Sequence, residues 1–406
     1  MASLFLKIIS NTTFRLLLSV IVGSLIGVFA NETVISVILP IKHVLGQIIF
    51  FLIPLLIFGF ITPSITKLKR NASKLLSVSL LLAYASCVGS ATLAAVVGYK
   101  LIPLFDIVPQ SEAVKDIPEM IFRLDIPPLM SVLSALVLSF MLGLSIIWTK
   151  ADRIENSLYE FQRLVFTMVK KFLLPILPLF IAANFSVLAY EGALASRLPV
   201  FFAILIVTIL CHITWMIILY SSAGIYSRKN PWHVLKYYGP VVLTALGTQS
   251  SAASLGVAIE ETKKSPVLRS DIRNFAIPLF GNIHFVGSIL DVVFLSLAVS
   301  QLLYGTMPGL DKMLIFIPLL GIFAIAAPGL PGGTLITSLG LIHAVLGIDE
   351  TGTALMISIF ALLDSFGTTH NITSDGALTL ILSSYADKHG REVPVEESIQ
   401  VQVEKV

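Results

Sequence analysis

Charge is what this sequence has least of: 13% of its residues are Asp, Glu, Lys or Arg, against 56% hydrophobic. A soluble domain carries about 25% charged residues, so a mainly wet surface is excluded. The net charge of +3 is too small to argue for nucleic acid. Cysteine is nearly absent. Cys87 and Cys211 stand alone within apolar runs, which excludes a disulfide framework and leaves packing as their role. No His/Glu metal motif or Ser-His-Asp set is visible, and Ser250, Ser251 and Ser254 have no obvious base beside them. The expectation is a protein that is not an enzyme and holds no cofactor.

What the sequence does have is long apolar runs. Leu16–Ala30, Val34–Ile61, Leu75–Val97, Leu129–Trp148, Leu173–Leu188, Pro199–Tyr220, Ile277–Leu303 and Leu355–Leu382 each approach or exceed the roughly 20 residues that span a bilayer as a helix. Lys7 and Arg15 before Leu16–Ala30 imitate a signal peptide, but that run is the first of a series with regular charge alternation. With the N-terminus inside, Lys67, Lys69, Arg70, Lys150, Arg153, Arg228, Lys229, Lys263, Lys264, Arg269, Lys388 and Arg391 fall on one side. The longest loop of the other side, 104–126, holds Asp106, Glu112, Asp116, Glu119 and Asp125. That asymmetry puts both termini in the cytoplasm.

The fold class expected is an all-α membrane protein of eight transmembrane helices plus two re-entrant helical hairpins. The hairpins come from two interruptions by small polar residues, Gly247–Ser254 and Ala327–Thr334, each between apolar arms too short to span. Non-helical backbone at membrane depth is tolerated where it lines a cavity. The first hairpin has its ends among Arg228, Lys229, Lys263 and Lys264; the second lies between Lys312 and Asp349-Glu350, on the opposite side. Each precedes a long helix, 270–303 and 350–386, so hairpin plus helix occurs twice in opposite orientation. An inverted repeat with paired broken segments points to a transporter site. A channel is the competing class, but the polar residues cluster at one depth.

Inside the last apolar helix, Asp364, Asn371 and Asp375 fall within about 40° of one another at 100° per residue, with Thr368 beside them. A carboxylate at bilayer depth is expensive unless it is paired or wet, so the stripe marks a cavity for something cationic or hydrogen-bonding. Asp375 and Asn371 offer hard oxygens suited to Na⁺, and Asp364 suits a substrate ammonium. In the preceding helix Asn282, His284, Ser288 and Asp291 break the apolar run. His284 and Asp291, seven apart on one face, are candidates for proton coupling.

At these residues the sequence resembles the dicarboxylate/amino acid:cation symporter family, which includes glutamate and neutral amino acid transporters. Gln249–Ser254 is similar to its serine-rich first tip, Pro328–Gly333 to its second tip, and Asp364–Asp375 to its last-helix signature. The resemblance implies a glutamate-transporter-like fold and substrate contacts from Ser250, Ser251, Gly332, Asp364, Gly367, Thr368 and Asn371. Asp364 would take the amino group and Asn371 the carboxylate. It implies a sodium site from Asp375, Asn371 and backbone near Phe280 and His284. Residues 1–230 would be mainly scaffold, with the third and sixth spans moving with a transport core at 231–386, followed by a cytoplasmic tail, 387–406. It implies a homotrimer embedded in lipid in the plasma membrane, a bacterial inner membrane, with no nucleic acid partner.

Two departures matter. Members taking acidic substrates carry an arginine where this chain has Gly367. The Asn-Met-Asp-Gly-Thr signature of the seventh span stands here as His284–Ser288, with Val286 replacing the aspartate opposite Cys87 and Val88. The expected activity is symport of Na⁺ or H⁺ with a small neutral amino acid such as serine, threonine or alanine. The runner-up is a C4-dicarboxylate or acidic amino acid, with His284 or Gln249 as anion partner.

Overall fold

A computed structural model describes residues 12–70, 74–105, 115 and 117–390. The expected tail beyond residue 390, Lys7 and most acids of the 104–126 loop lie outside the described residues. No strand occurs among the described residues. The helices in order are α1 (Thr12–Phe29), α2 (Glu32–Arg70), α3 (Lys74–Leu101), α4 (Val132–Thr149), α5 (Asp152–Met168), α6 (Leu174–Tyr190) and α7 (Ala193–Ser227). There follow the one-turn α8 (Trp232–Leu235), α9 (Gly239–Thr248), α10 (Ser251–Thr262), α11 (Ser270–Ile283), α12 (Val286–Tyr304), α13 (Leu310–Ala326), α14 (Gly333–Leu341) and α15 (Glu350–His389).

Among the described residues, six helical stretches are long and apolar enough to cross a membrane: Glu32–Thr66, Lys74–Leu104, Asp152–Tyr190, Val200–Ser227, Ser270–Tyr304 and Glu350–Lys388. The other two expected spans form shorter apolar helices, Phe14–Phe29 and Ser134–Thr149. Burial separates their roles. An apolar 18-residue stretch of Ser270–Tyr304 is 94% buried within the protein, whereas the corresponding stretch of Val200–Ser227 is 28% buried, and that helix turns Phe202, Ile206, Ile213 and Ile217 outward. In lipid, such outward apolar side chains are at no disadvantage, so the centre of the molecule is defined by what α11, α12 and α15 enclose.

The expected helix 270–303 is not continuous. It breaks at His284-Phe285, where φ/ψ values of −113/84° and −101/48° leave the helical region. The physical reason is that a side chain from α15 replaces the lost backbone bonds. Asn371 accepts from the N–H of Gly287 at 2.7 Å and of Ser288 at 3.2 Å. Both interruptions seen in the sequence are helix–turn–helix tips. In the first, Gln249 ends α9 in the left-handed conformation, and Ser250 caps α10 by accepting from the N–H of Ala253. In the second, Gly332 adopts φ +71°, and a Cβ on Gly333 would strike the Pro328 carbonyl, so the tight turn requires glycine.

Close approach also sets the α1–α6 pair. A Cβ on Gly27 would lie 2.8 Å from the Ala189 Cβ and strike the Ser186 carbonyl, while one on Gly23 would strike the Ala182 carbonyl. This small-xxx-small face lets two backbones touch where the hydrophobic effect gives no help. Gly27→Leu is expected to wedge the pair apart and destabilise by about 1–3 kcal/mol or more. The check is a lowered thermal midpoint in detergent; an unchanged midpoint would show that the pair does not pack through this face.

Candidate functional site

The two tips meet each other over α15. Ser250 Oγ donates to the Gly329 carbonyl at 3.0 Å, and the Ala252 N–H reaches the same oxygen at 3.4 Å. Below them Asp364 is 5% exposed. Its Oδ2 accepts from the Gly332 N–H at 2.8 Å and its Oδ1 faces the Thr368 hydroxyl at 3.4 Å. From the first tip, Gln249 Nε2 donates to Ser365 Oγ at 3.0 Å and to the Ala361 carbonyl at 3.3 Å. Each tip is thus tied to α15 within one turn of Asp364, and the cavity beside it is lined by Gln249, Gly332, Phe360 and Asp364 among others.

The other expected residues divide into three groups. Asn371 gives both polar atoms of its side chain to the helix break, its Nδ2 donating to Ser288 Oγ at 2.9 Å. Asp375 Oδ1 pairs with His284 Nδ1 at 2.9 Å, and His284 Nε2 meets Ser86 Oγ at 2.9 Å. Phe280 offers its carbonyl to the His284 N–H at 2.8 Å. Ser251 is buried as the first residue of α10. Val286 meets α3 through Ser90, whose hydroxyl donates to the Val286 carbonyl at 2.9 Å.

Asp291 belongs to a different network. Its Oδ1 lies 2.8 Å from His212 Nε2, and His212 Nδ1 lies 2.9 Å from His370 Nδ1. His284 and Asp291 were expected on one helix face, but the break between them sends each to its own partners. His212 and His370 were not singled out from the sequence. A lone histidine in the apolar run of α7 was the available signal. Gly367 has a definite reason: a Cβ there would collide with Asp291 Oδ2.

These observations define a multi-pass membrane protein in which two helical tips close over a buried carboxylate. The family model for the Sodium:dicarboxylate symporter family matches residues 12–385, and the chain belongs to that family. The family is one of symporters, not enzymes. The chain is 28% identical over 178 residues to Excitatory amino acid transporter 3 of Mus musculus, covering 43% of this chain and 33% of that protein. It is 25% identical over 183 residues to Neutral amino acid transporter B(0) of Homo sapiens, covering 44% and 33%. With Excitatory amino acid transporter 1 of Rattus norvegicus the identity is 27% over 190 residues, covering 45% and 33%. The aligned part spans about a third of the length of each of these relatives.

Proposed function

We propose that the chain is a secondary active symporter that takes up a small neutral amino acid by alternating access. The observation that carries this reading is Asp364, buried and held beneath two meeting tips. A carboxylate in that position suits an ammonium, and the tips suit gates that part to admit it. The backbone of Ser251 and Gly332 would then meet the substrate carboxylate, with Thr368 lining the pocket. A dianion fits less well. Gln249 and His284, the two candidate anion partners, already hold Ser365 and Asp375, and the surroundings of Asp364 include a second carboxylate, Asp291.

The α9–α10 and α13–α14 pairs would be re-entrant hairpins, with residues 231–386 as the moving core against a trimeric scaffold and both termini in the cytoplasm. Sodium is the family's cation. Here it would use Asp375 Oδ2, which has no hydrogen-bond partner, and would draw on the Phe280 carbonyl, Asn371 and His284 only after their present bonds rearranged.

The test is uptake into proteoliposomes under imposed Na⁺ or H⁺ gradients, with a panel of amino acids and dicarboxylates. Serine, threonine or alanine is expected to accumulate. Asp364→Ala is expected to lower uptake by roughly 100-fold, the worth of a charged hydrogen bond of about 3 kcal/mol. Full uptake by Asp364→Ala would overturn the assignment.

A further inference from the structure

We propose that a polar latch between α2 and the first turn of α15 holds the core in the position seen in the structure, and that it opens and re-forms once in each transport cycle. The proposal rests on the symport reading above, in which residues 231–386 move against a scaffold that includes α2. It starts from a seat. A Cβ on Gly46 would lie 2.8 Å from Glu350 Oε2 and 3.3 Å from Phe180 Cε2, so the missing side chain leaves a notch that the Glu350 carboxylate fills. Gln47 Nε2 donates to Glu350 Oε1 at 2.8 Å, and His43 Nδ1 lies 3.8 Å from Oε2. Beside them Lys42 Nζ donates to Thr351 Oγ1 at 3.0 Å.

Each half of the latch is braced from its own side. In the core, Tyr304 at the end of α12 donates to Asp349 Oδ1 at 2.8 Å, and Asp349 caps α15 by accepting from the Gly352 N–H at 2.9 Å. That fixes the first turn of α15 and leaves Glu350 and Thr351 to meet α2. On the scaffold, His43 Nε2 lies 2.9 Å from Asp125 Oδ1, which also accepts from Arg123 Nε at 3.0 Å.

The rest of the boundary explains why this end matters. Apart from Ser36, Lys42, His43 and Gln47 are the only polar side chains between Val34 and Ile61. Such groups are expensive in an apolar span unless they have partners. Farther along α2 the boundary is apolar: Leu56 and Phe60 line one cavity with Pro328, Leu330 and Ile336 of the second hairpin. Apolar faces surrounded by lipid gain no hydrophobic preference for one register, so they can slide at little cost. The polar set has one register. The core is held where Glu350 fills its notch, and displacement breaks the contacts of Gln47, His43 and Lys42 together.

The experiment reads position. Spin labels at Val37→Cys on α2 and Leu310→Cys on α13, both exposed, report the scaffold-to-core distance by pulsed EPR in liposomes; the native Cys87 and Cys211 are buried. The expected result is one dominant distance that matches the structure. Glu350→Ala, and separately Gly46→Leu, which fills the notch from the other side, are each expected to lower the ratio of that population to the rest by roughly tenfold. In a second arm, Gln47→Cys with Glu350→Cys is oxidised to a disulfide with copper phenanthroline. Labelled serine uptake is expected to stop, and a reductant to restore it. If Gly46→Leu does not fold, Glu350→Ala decides. A structural distance that is the minor species in the otherwise wild-type chain, a distribution unchanged in either folded variant, a cysteine pair that does not cross-link, or full uptake by the cross-linked pair overturns the proposal and leaves the symport reading standing. Absence of transport of every compound in the panel by the wild type overturns both.

Discussion

Replacing Asn371 by leucine is expected to destabilise the protein by about 3–6 kcal/mol and to abolish transport, a larger effect than losing any single apolar contact of the core. The figure follows from three polar groups. The N–H groups of Gly287 and Ser288 open α12 and have no carbonyl one turn earlier, because the chain is not helical at His284-Phe285. Asn371 Oδ1 accepts from both, and Nδ2 donates to the Ser288 hydroxyl. Asn371 is 2% exposed, so no solvent stands ready to replace it. Leucine fills similar space and satisfies none of the three, each left at a cost of about 1–3 kcal/mol. Asn371→Asp keeps the acceptor but loses the donor and adds a charge, and should fall between the two. Thermal unfolding in detergent is the check. A leucine variant that melts with the wild type would show that the break is held by something other than Asn371.

This break also marks where the sequence stops being legible. The two tips and Asp364 could be read because they interrupt apolar runs, and an interruption at membrane depth has few physical explanations. The stripe of Asp364, Thr368, Asn371 and Asp375 could be read because α15 is continuous through all four. The same periodicity failed for His284 and Asp291. Seven residues place two side chains on one face only if the helix is unbroken between them, and here it is not. His212 was missed for a different reason. Its partners lie 79 and 158 residues away in sequence, and no local spacing encodes such a pairing. Gly367 was read as an absence, a missing arginine. The structure gives it a positive reason, since the carboxylate of Asp291 occupies the space.

That reason makes the outcome of restoring the arginine calculable. Gly367→Arg alone is expected to lower serine uptake by roughly 100-fold, and not to admit glutamate or a C4-dicarboxylate. The new Cβ would overlap Asp291 Oδ2, so α12 and α15 must separate or Asp291 must swing away from His212. α12 cannot retreat easily, because the Gly287 Cα faces the Gly367 carbonyl with no room for a Cβ. A guanidinium placed there also finds an unsatisfied carboxylate oxygen beside it and pairs with that oxygen before any substrate. The arginine becomes available to a substrate only when its internal partner is removed. Gly367→Arg with Asp291→Gly vacates the space and the charge together, leaving His212 as the neutral neighbour of the guanidinium. The double variant is therefore expected to take up acidic substrates that neither single variant accepts, read out as inhibition of labelled aspartate uptake by succinate and glutamate. Acidic-substrate uptake by Gly367→Arg alone would show that Asp291 does not govern this position. The arginine and the aspartate exclude each other in one volume of the core, so substrate charge is decided by the pair, not by residue 367 alone.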